Sequence, residues 1–408
     1  MTESVVTETS DEVLLVAAST ARALLRLRSD TAGRSLAELL VRRYASFDDD
    51  QKTGFFGLLL NDFGAERDDV DAAIRNYQAD PSESHTVALS QAADSQRLSL
   101  FRALNTARDG IGVLLDMRAQ ILARSETHPE LAPVEKDLQH LLKSWFNRGF
   151  LHLEQLCWTT PAHILESLIR YEAVHEIRGW DDLRRRLAPD RRSFGFFHPA
   201  LPDEPIIFVE VALTKGLATS IQDVIDAPPP ETEEHDADTA IFYSITNCQS
   251  GLRGVSFGSF LIKQVTEHLM AEDPDLKTFA TLSPIPGFAS WLSETHPEVD
   301  VDDKTTMRQS CAEYLLTARQ GNLPLDPVAR FHLRNGACVA KINWCGDTSP
   351  KGIAESHGML VNYLYSDQDL LSNNEALTLD SLVTASDDVI ALLAKPADDL
   401  VRRVEGSL

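Results

Sequence analysis

The spacing of apolar residues changes near residue 147, and a chain with two such textures has to fold as two kinds of structure. Before that point the spacing is helical. In "DEVLLVAASTARALLRLRSD", Leu14, Ala17, Ala18, Ala21, Leu24 and Leu25 share one stripe. The stretch starts acidic and ends basic, the order that a helix dipole favours. "SLAELLVRRYASF", "DDVDAAIRNYQ", "RLSLFRALNTARDGIGVLLDMRAQILA" and "VEKDLQHLLKSWF" repeat the pattern, with polar breaks at "ADPSES" and "RSETHPE". There is little β-branched clustering and no fixed-period repeat. Residues 1–147 are therefore expected to form an all-helical bundle whose apolar faces serve packing and self-association.

After "FNRGF" the pattern mixes. "PAHILESLIRYEAVHEI" reads as helix, and "EPIIFVEVALT" and "AIFYSITNC" read as buried strands. The Pro- and acid-rich "DAPPPETEEHDADT" between those strands is a surface loop. Then follow the helix "SFLIKQVTEHLMAE", the strand "TFATLSP", the helix "DPVARFHLRNG", the strands "CVAKINW" and "GMLVNYLY", and a final helix over about 377–403. This order predicts an α+β mixed-sheet domain over residues 148–408.

The formal net charge of -24 argues against a nucleic-acid groove or an anionic membrane as the main partner. Five cysteines without metal-binding spacing read as reduced core thiols, so no metal is expected. No apolar run approaches the length of a membrane span. The acidic "MTESVVTETSDEV" does not read as a signal or transit peptide, and a cytoplasmic protein is expected.

Three places suggest a site. Arg253, Gly254, Val255, Ser256, Phe257, Gly258 and Ser259 spell "RGVSFGS" between a strand and a helix. Small residues there let backbone N–H groups approach a phosphate, although a tight turn needs glycine just as much. In "LSPIPGF", Pro284 biases Ser283 toward extended backbone and Pro286-Gly287 turns the chain, so a hydroxyl is held at a strand end. Asp326-Pro327 and Gly336 bracket a short helix that carries His332 on its apolar face. The plainer roles are a strand-end cap for Ser283 and a satisfied core position for His332. Tyr363 and Tyr365 project to one face of a strand and Asn362 to the other, as supporting candidates. The cluster "RRRLAPDRR" reads as a solvated helix end or, less simply, a phosphate contact. His198 and His357 suit core or turn roles, and Asp347 and Lys351 suggest none.

"RGVSFG" resembles the coenzyme A loop of the GNAT acyltransferases, apart from Ser256 at the first small position. The longer blocks "TAIFYSITNCQSGLRGVSFGSFLIKQV", "LSPIPGF", "DPVARFHLRNGA" and "INWCGDTSPKGIAESHGMLVNY" are together similar to the malonyl-CoA decarboxylase family, across residues 150–365. The resemblance implies a GNAT-like domain behind a helical oligomerisation domain, and a tetramer. It also implies malonyl-CoA as substrate, with Ser283 and His332 as active-site residues and residues 253–259 holding coenzyme A.

Decarboxylating a malonyl thioester needs no cofactor, because the thioester carbonyl takes the electron pair that CO2 leaves behind. The catalyst needs a grip on coenzyme A, a polar group at the carboxylate and enolate, and an acid. A histidine with near-neutral pKa suits the acid role. Ser283 would either bind the carboxylate or share in proton exchange with His332. Some relatives carry glutamate at the position of Ser256; without it a catalytic triad and an acyl-serine are not expected. The alternatives are an acyltransferase to an amine and a non-catalytic acyl-CoA-binding protein.

Overall fold

The computed structural model describes residues 9–27, 30–230, 236–255, 260–397 and 399–404. Contacts divide the chain into two units. One comprises residues 1–151, 198–202 and 249–256; the other comprises 152–197, 203–248 and 257–408.

The first unit is all-helical among its described residues. Its α-helices are Ser10–Arg26, Asp30–Ala45, Asp49–Asp62, Arg67–Ala79, Glu83–Ala93, Gln96–Leu104, Gly110–Ala123 and Ala132–Trp145. The first begins with a capping box, Thr9 and Glu12 each satisfying the other's backbone N–H. Asp48 and Gln51 do the same for the third. Leu40, Tyr44, Phe55, Phe56, Leu59, Phe101, Leu114 and Leu138 are buried together in its core. The long stretch from Gln96 to Ala123 is two helices, not one. Asn105–Asp109 breaks it, and Asp109 adopts left-handed backbone with φ 60°.

The second unit is built on a mixed sheet. Its strands are β1 (His152–Leu156), β2 (Arg191–Phe197), β3 (Ile207–Thr214), β4 (Thr239–Asn247), β5 (Thr278–Thr281) and β6 (Ser283–Pro284). After these come β7 (Arg319–Gln320), β8 (Leu323–Pro324), β9 (Cys338–Asn343), β10 (Leu360–Tyr365), β11 (Val383–Ala385) and β12 (Val401–Arg403). The order is β1-β2-β3-β4-β5-β10-β9-β11-β12, with β6 also on β10 and β7–β8 as a separate hairpin. β1 to β4 run antiparallel, and β4 and β5 run parallel across the helix Phe260–Glu272. The fold is thus α+β, a helical N-terminal region followed by a mixed-sheet domain.

β3, β4 and β10 read as strands because apolar and β-branched residues run through them and both faces are covered. The C-terminal segment departs from the single helix expected over 377–403. The helix is Leu370–Leu379, and β11, a short helix Asp387–Ile390 and β12 follow. Ser381, at φ 60°, turns the chain, and Val383 and Ala385 are buried as strand residues against β9.

Candidate active site

The site is a split in the sheet. β10 pairs with β5 through Leu364↔Ala280 and Tyr365↔Phe279, and with β6 through Leu360↔Pro284 and Val361↔Ser283. Between those two patches side chains replace the ladder. Thr281 Oγ1 accepts the backbone N–H of Tyr363 at 3.1 Å, and Asn362 Nδ2 donates to Thr281 O at 2.7 Å. Asn362 also donates to Ala218 O and accepts from Asn343 Nδ2. Fully buried, its amide holds the split open on the side away from the tyrosines.

Ser283 follows that split. Its backbone is extended, as the residue before proline should be, and its side chain is 5% exposed. Its hydroxyl donates to Thr281 Oγ1 at 2.8 Å and lies 3.2 Å from His332 Nε2. His332 projects from the helix Pro327–Arg334, and its other nitrogen, Nδ1, lies 2.8 Å from Tyr365 Oη. The Tyr363 ring stacks on the imidazole at 4.6 Å and 23°. Ser283, His332, Tyr363 and Tyr365 therefore form one buried group, with Asn362 one layer behind.

Asp326 links the Ser283 and His332 segments through Tyr314. It caps the His332 helix by accepting the N–H of Ala329 at 2.8 Å. The same carboxylate feels the backbone N–H of Gly287, in the turn that follows Ser283, as a weak stabilising influence and accepts from Tyr314 Oη at 3.4 Å. Burial raises its pKa to about 6 against those hydrogen bonds. Gly287 suits this turn because a Cβ there would clash with Tyr314 Oη.

The imidazole departs from the sequence expectation. Burial alone lowers the His332 pKa to about 3, so it is neutral near pH 7, not half-protonated. Any acid role has to be played by a neutral ring.

Of the glycine-rich loop, Arg253, Gly254 and Val255 are described; Ser256, Phe257, Gly258 and Ser259 lie outside the described residues. Gly254 has φ 76°, the conformation for which glycine is the default residue. Within its unit the loop is held by Arg118. That buried guanidinium donates to Gly251 O at 2.6 Å and Arg253 O at 2.7 Å, and pairs with Glu135 at 2.7 Å. Arg118 sits inside an ordinary helical stretch, and nothing in the sequence marks it.

The basic cluster at 184–192 is mostly paired, with Arg184 alone of its arginines exposed to solvent. Arg185 forks onto Asp190, and Arg186 is buried against Glu210 at 3.0 Å and Asp182 at 3.2 Å. Arg191 pairs with Asp190, Arg192 with Glu272, and Arg184 lies over the Trp158 ring. His198 bonds the Trp145 carbonyl and accepts from Ala200 N, and His357 ends a helix in left-handed backbone. Asp347 accepts the N–H of Ser349, and Lys351 donates to two backbone carbonyls. Among the described residues no His, Cys, Asp and Glu group could hold a metal ion, and no helix is long and apolar enough to cross a membrane.

A neutral imidazole wedged between a phenol and a serine hydroxyl, at a gap in a mixed sheet, makes a candidate acid–base site in an α+β protein. The comparisons narrow that class to one family. The malonyl-CoA decarboxylase C-terminal domain model matches residues 149–303 and 295–403, and the corresponding N-terminal domain model matches 63–146. The mitochondrial malonyl-CoA decarboxylase of Anser anser anser is 35% identical over 424 residues, covering 89% of this chain and 84% of that protein. The crystal structure of malonyl-CoA decarboxylase from Rhodopseudomonas palustris superposes with a TM-score of 0.87 at 44% identity, covering 94% of this chain and 99% of that one. That from Agrobacterium vitis gives 0.88 at 44% identity, covering 93% and 100%. The chain belongs to the malonyl-CoA decarboxylase family.

Proposed function

We propose that this chain converts malonyl-CoA to acetyl-CoA and CO2, with Ser283 and His332 at the reacting end and residues 253–259 holding coenzyme A. The carboxylate's C–C bond breaks, CO2 leaves, and the electron pair moves onto the thioester as an enolate. A proton then adds to carbon. The observation that carries the reading is the contact between Ser283 Oγ and His332 Nε2, 3.2 Å apart in a buried polar group of a chain from this family.

Ser283 acts here without forming an acyl-enzyme. Its proton is turned to Thr281 and away from His332, which supports a hydroxyl that orients substrate and passes a proton over one stripped to an alkoxide. No cofactor or metal is required, since coenzyme A belongs to the substrate. We further infer a cytoplasmic homotetramer assembled through the helical region.

The purified chain is to be given malonyl-CoA alone, with no amine and no added metal. CO2 and acetyl-CoA are expected in equal amounts. Thioester loss only on adding an amine would assign an acyltransferase, and tight binding without turnover would assign an acyl-CoA-binding protein.

A further inference from the structure

The described part of the glycine-rich loop belongs to the helical unit, which takes in residues 249–256, and not to the sheet. The apolar faces of the bundle account for its packing. They do not account for why it should hold this segment.

The helix Gly110–Ala123 shapes the loop in two ways. At Gly251 the chain runs so close to that helix that a Cβ would clash with the backbone of Leu115. Beside it Arg118, 1% exposed, donates from Nη1 to Gly251 O and from Nη2 to Arg253 O. Its Nε and Nη2 also meet Glu135 Oε1, so the guanidinium is paired and its fork is fixed. Leu252, between the two carbonyls, is fully buried. Hydrogen bonds from Leu252 N to Gln249 O and from Val255 N to Leu252 O close the turn.

The consequence is one of direction. In a trans peptide the C=O and the following N–H point opposite ways, and no peptide among the described residues is cis. Drawing Arg253 O inward to Arg118 therefore turns the Gly254 N–H outward. Gly254 is exposed, and its φ of 76° is one that glycine alone takes easily. Two carbonyl oxygens that would repel a phosphate are gathered beneath the loop, and an amide that attracts one faces the other way.

We propose that Arg118 is a positioning residue for the coenzyme A loop, and that through it the helical unit sets the grip on the phosphate end of the substrate. The proposal rests on the decarboxylase reading, in which this loop holds coenzyme A. Coenzyme A carries its phosphates at the far end of the pantetheine arm from the thioester. The clamp therefore bears on substrate affinity and leaves the bond-breaking step alone.

The test uses the full chain, Arg118→Met and Arg118→Lys with two substrates. These are malonyl-CoA and malonyl-pantetheine, which keeps the thioester and lacks every phosphate. Methionine fills the space without donating, and lysine keeps the charge on one nitrogen without the planar fork. Arg118→Met is expected to raise KM for malonyl-CoA and Kd for coenzyme A roughly tenfold, with kcat within about twofold of wild type. Its kcat/KM for malonyl-pantetheine should match the wild type. A variant that is merely less well folded would lose on both substrates alike. That result, or an unchanged KM for malonyl-CoA, would overturn the proposal. If Arg118→Met does not fold, Arg118→Lys decides by the same split, with a smaller rise expected on malonyl-CoA alone. A wild type that binds coenzyme A but releases no CO2 contradicts the decarboxylase reading, and the Kd comparison then decides this one. Equal wild-type kcat/KM on the two thioesters would remove the coenzyme A loop itself, a different failure from an Arg118 variant that behaves as wild type.

Discussion

Ser283 Oγ and His332 Nε2 lie 3.2 Å apart although 49 residues separate them in the chain. Two local devices bring them together. β6 places Ser283 opposite Val361, and Asp326 caps the first turn of the His332 helix while accepting from Tyr314 Oη, which packs against Gly287 in the turn after Ser283.

Asp326 is therefore a positioning residue, and its loss should be felt at both ends. Asp326→Ala removes the helix cap and the acceptor of the buried Tyr314 hydroxyl. We expect a loss of stability of about 1–3 kcal/mol. kcat should fall more than tenfold with coenzyme A affinity retained. Urea unfolding and steady-state kinetics read the two effects. A variant of full stability and full kcat would show that the carboxylate ties nothing together.

Thr281 accepts from both the Ser283 hydroxyl and the Tyr363 N–H. Thr281→Val keeps the shape but strands both donors, and should cost about 1–3 kcal/mol. Thr281→Ser restores the acceptor and should recover most of that loss in thermal unfolding. Equal stabilities for the two variants would mean that the hydroxyl does not matter.

Tyr363 Oη is buried without a hydrogen-bond partner among the described residues, while its ring stacks on His332. Tyr363→Phe keeps the ring and removes the stranded hydroxyl. Stability should rise by about 1 kcal/mol in denaturant titrations. A fall of that size would reveal a partner for the hydroxyl.

The sequence made some of this legible and hid the rest for physical reasons. Ser283 stood out because prolines and a glycine bracket it, and His332 because Asp326, Pro327 and Gly336 mark its helix ends. Thr281 did not, because a threonine in a strand is ordinary and only the gap between β5 and β6 gives its hydroxyl work. Arg118 was hidden in the same way, since the loop carbonyls it binds lie more than 130 residues downstream. Among the arginines at 184–192, Arg186 and Arg192 are fixed partly by Glu210 and Glu272 from distant segments, pairings that no local pattern announces. The C-terminal misreading has a local cause. Short stretches rich in Leu, Ala and Asp carry helical spacing, and only pairing with β9 makes Val383–Ala385 a strand.

Stability should depend on pH through His332. Its folded pKa of about 3 lies below the ordinary histidine value of 6.5, so the unfolded chain binds a proton that the folded one excludes. The contribution is fully present above about pH 6.5 and is lost as pH falls toward 3. The loss is about 1.4 kcal/mol per pH unit within that window. Between pH 7.5 and 5 the wild type should therefore lose roughly 2 kcal/mol more than His332→Gln, as read from urea midpoints. Parallel pH profiles for the two proteins would place a charged imidazole in the folded state.

The central claim is that Ser283 and His332 act as one unit on malonyl-CoA. The most direct measurement is kcat for CO2 release by the wild type, Ser283→Ala, His332→Ala and the double variant. Each single change should cost roughly 10²- to 10⁴-fold, and the double variant should be little worse than the poorer single one. Full activity in His332→Ala, or losses that simply multiply in the double variant, would contradict a shared role.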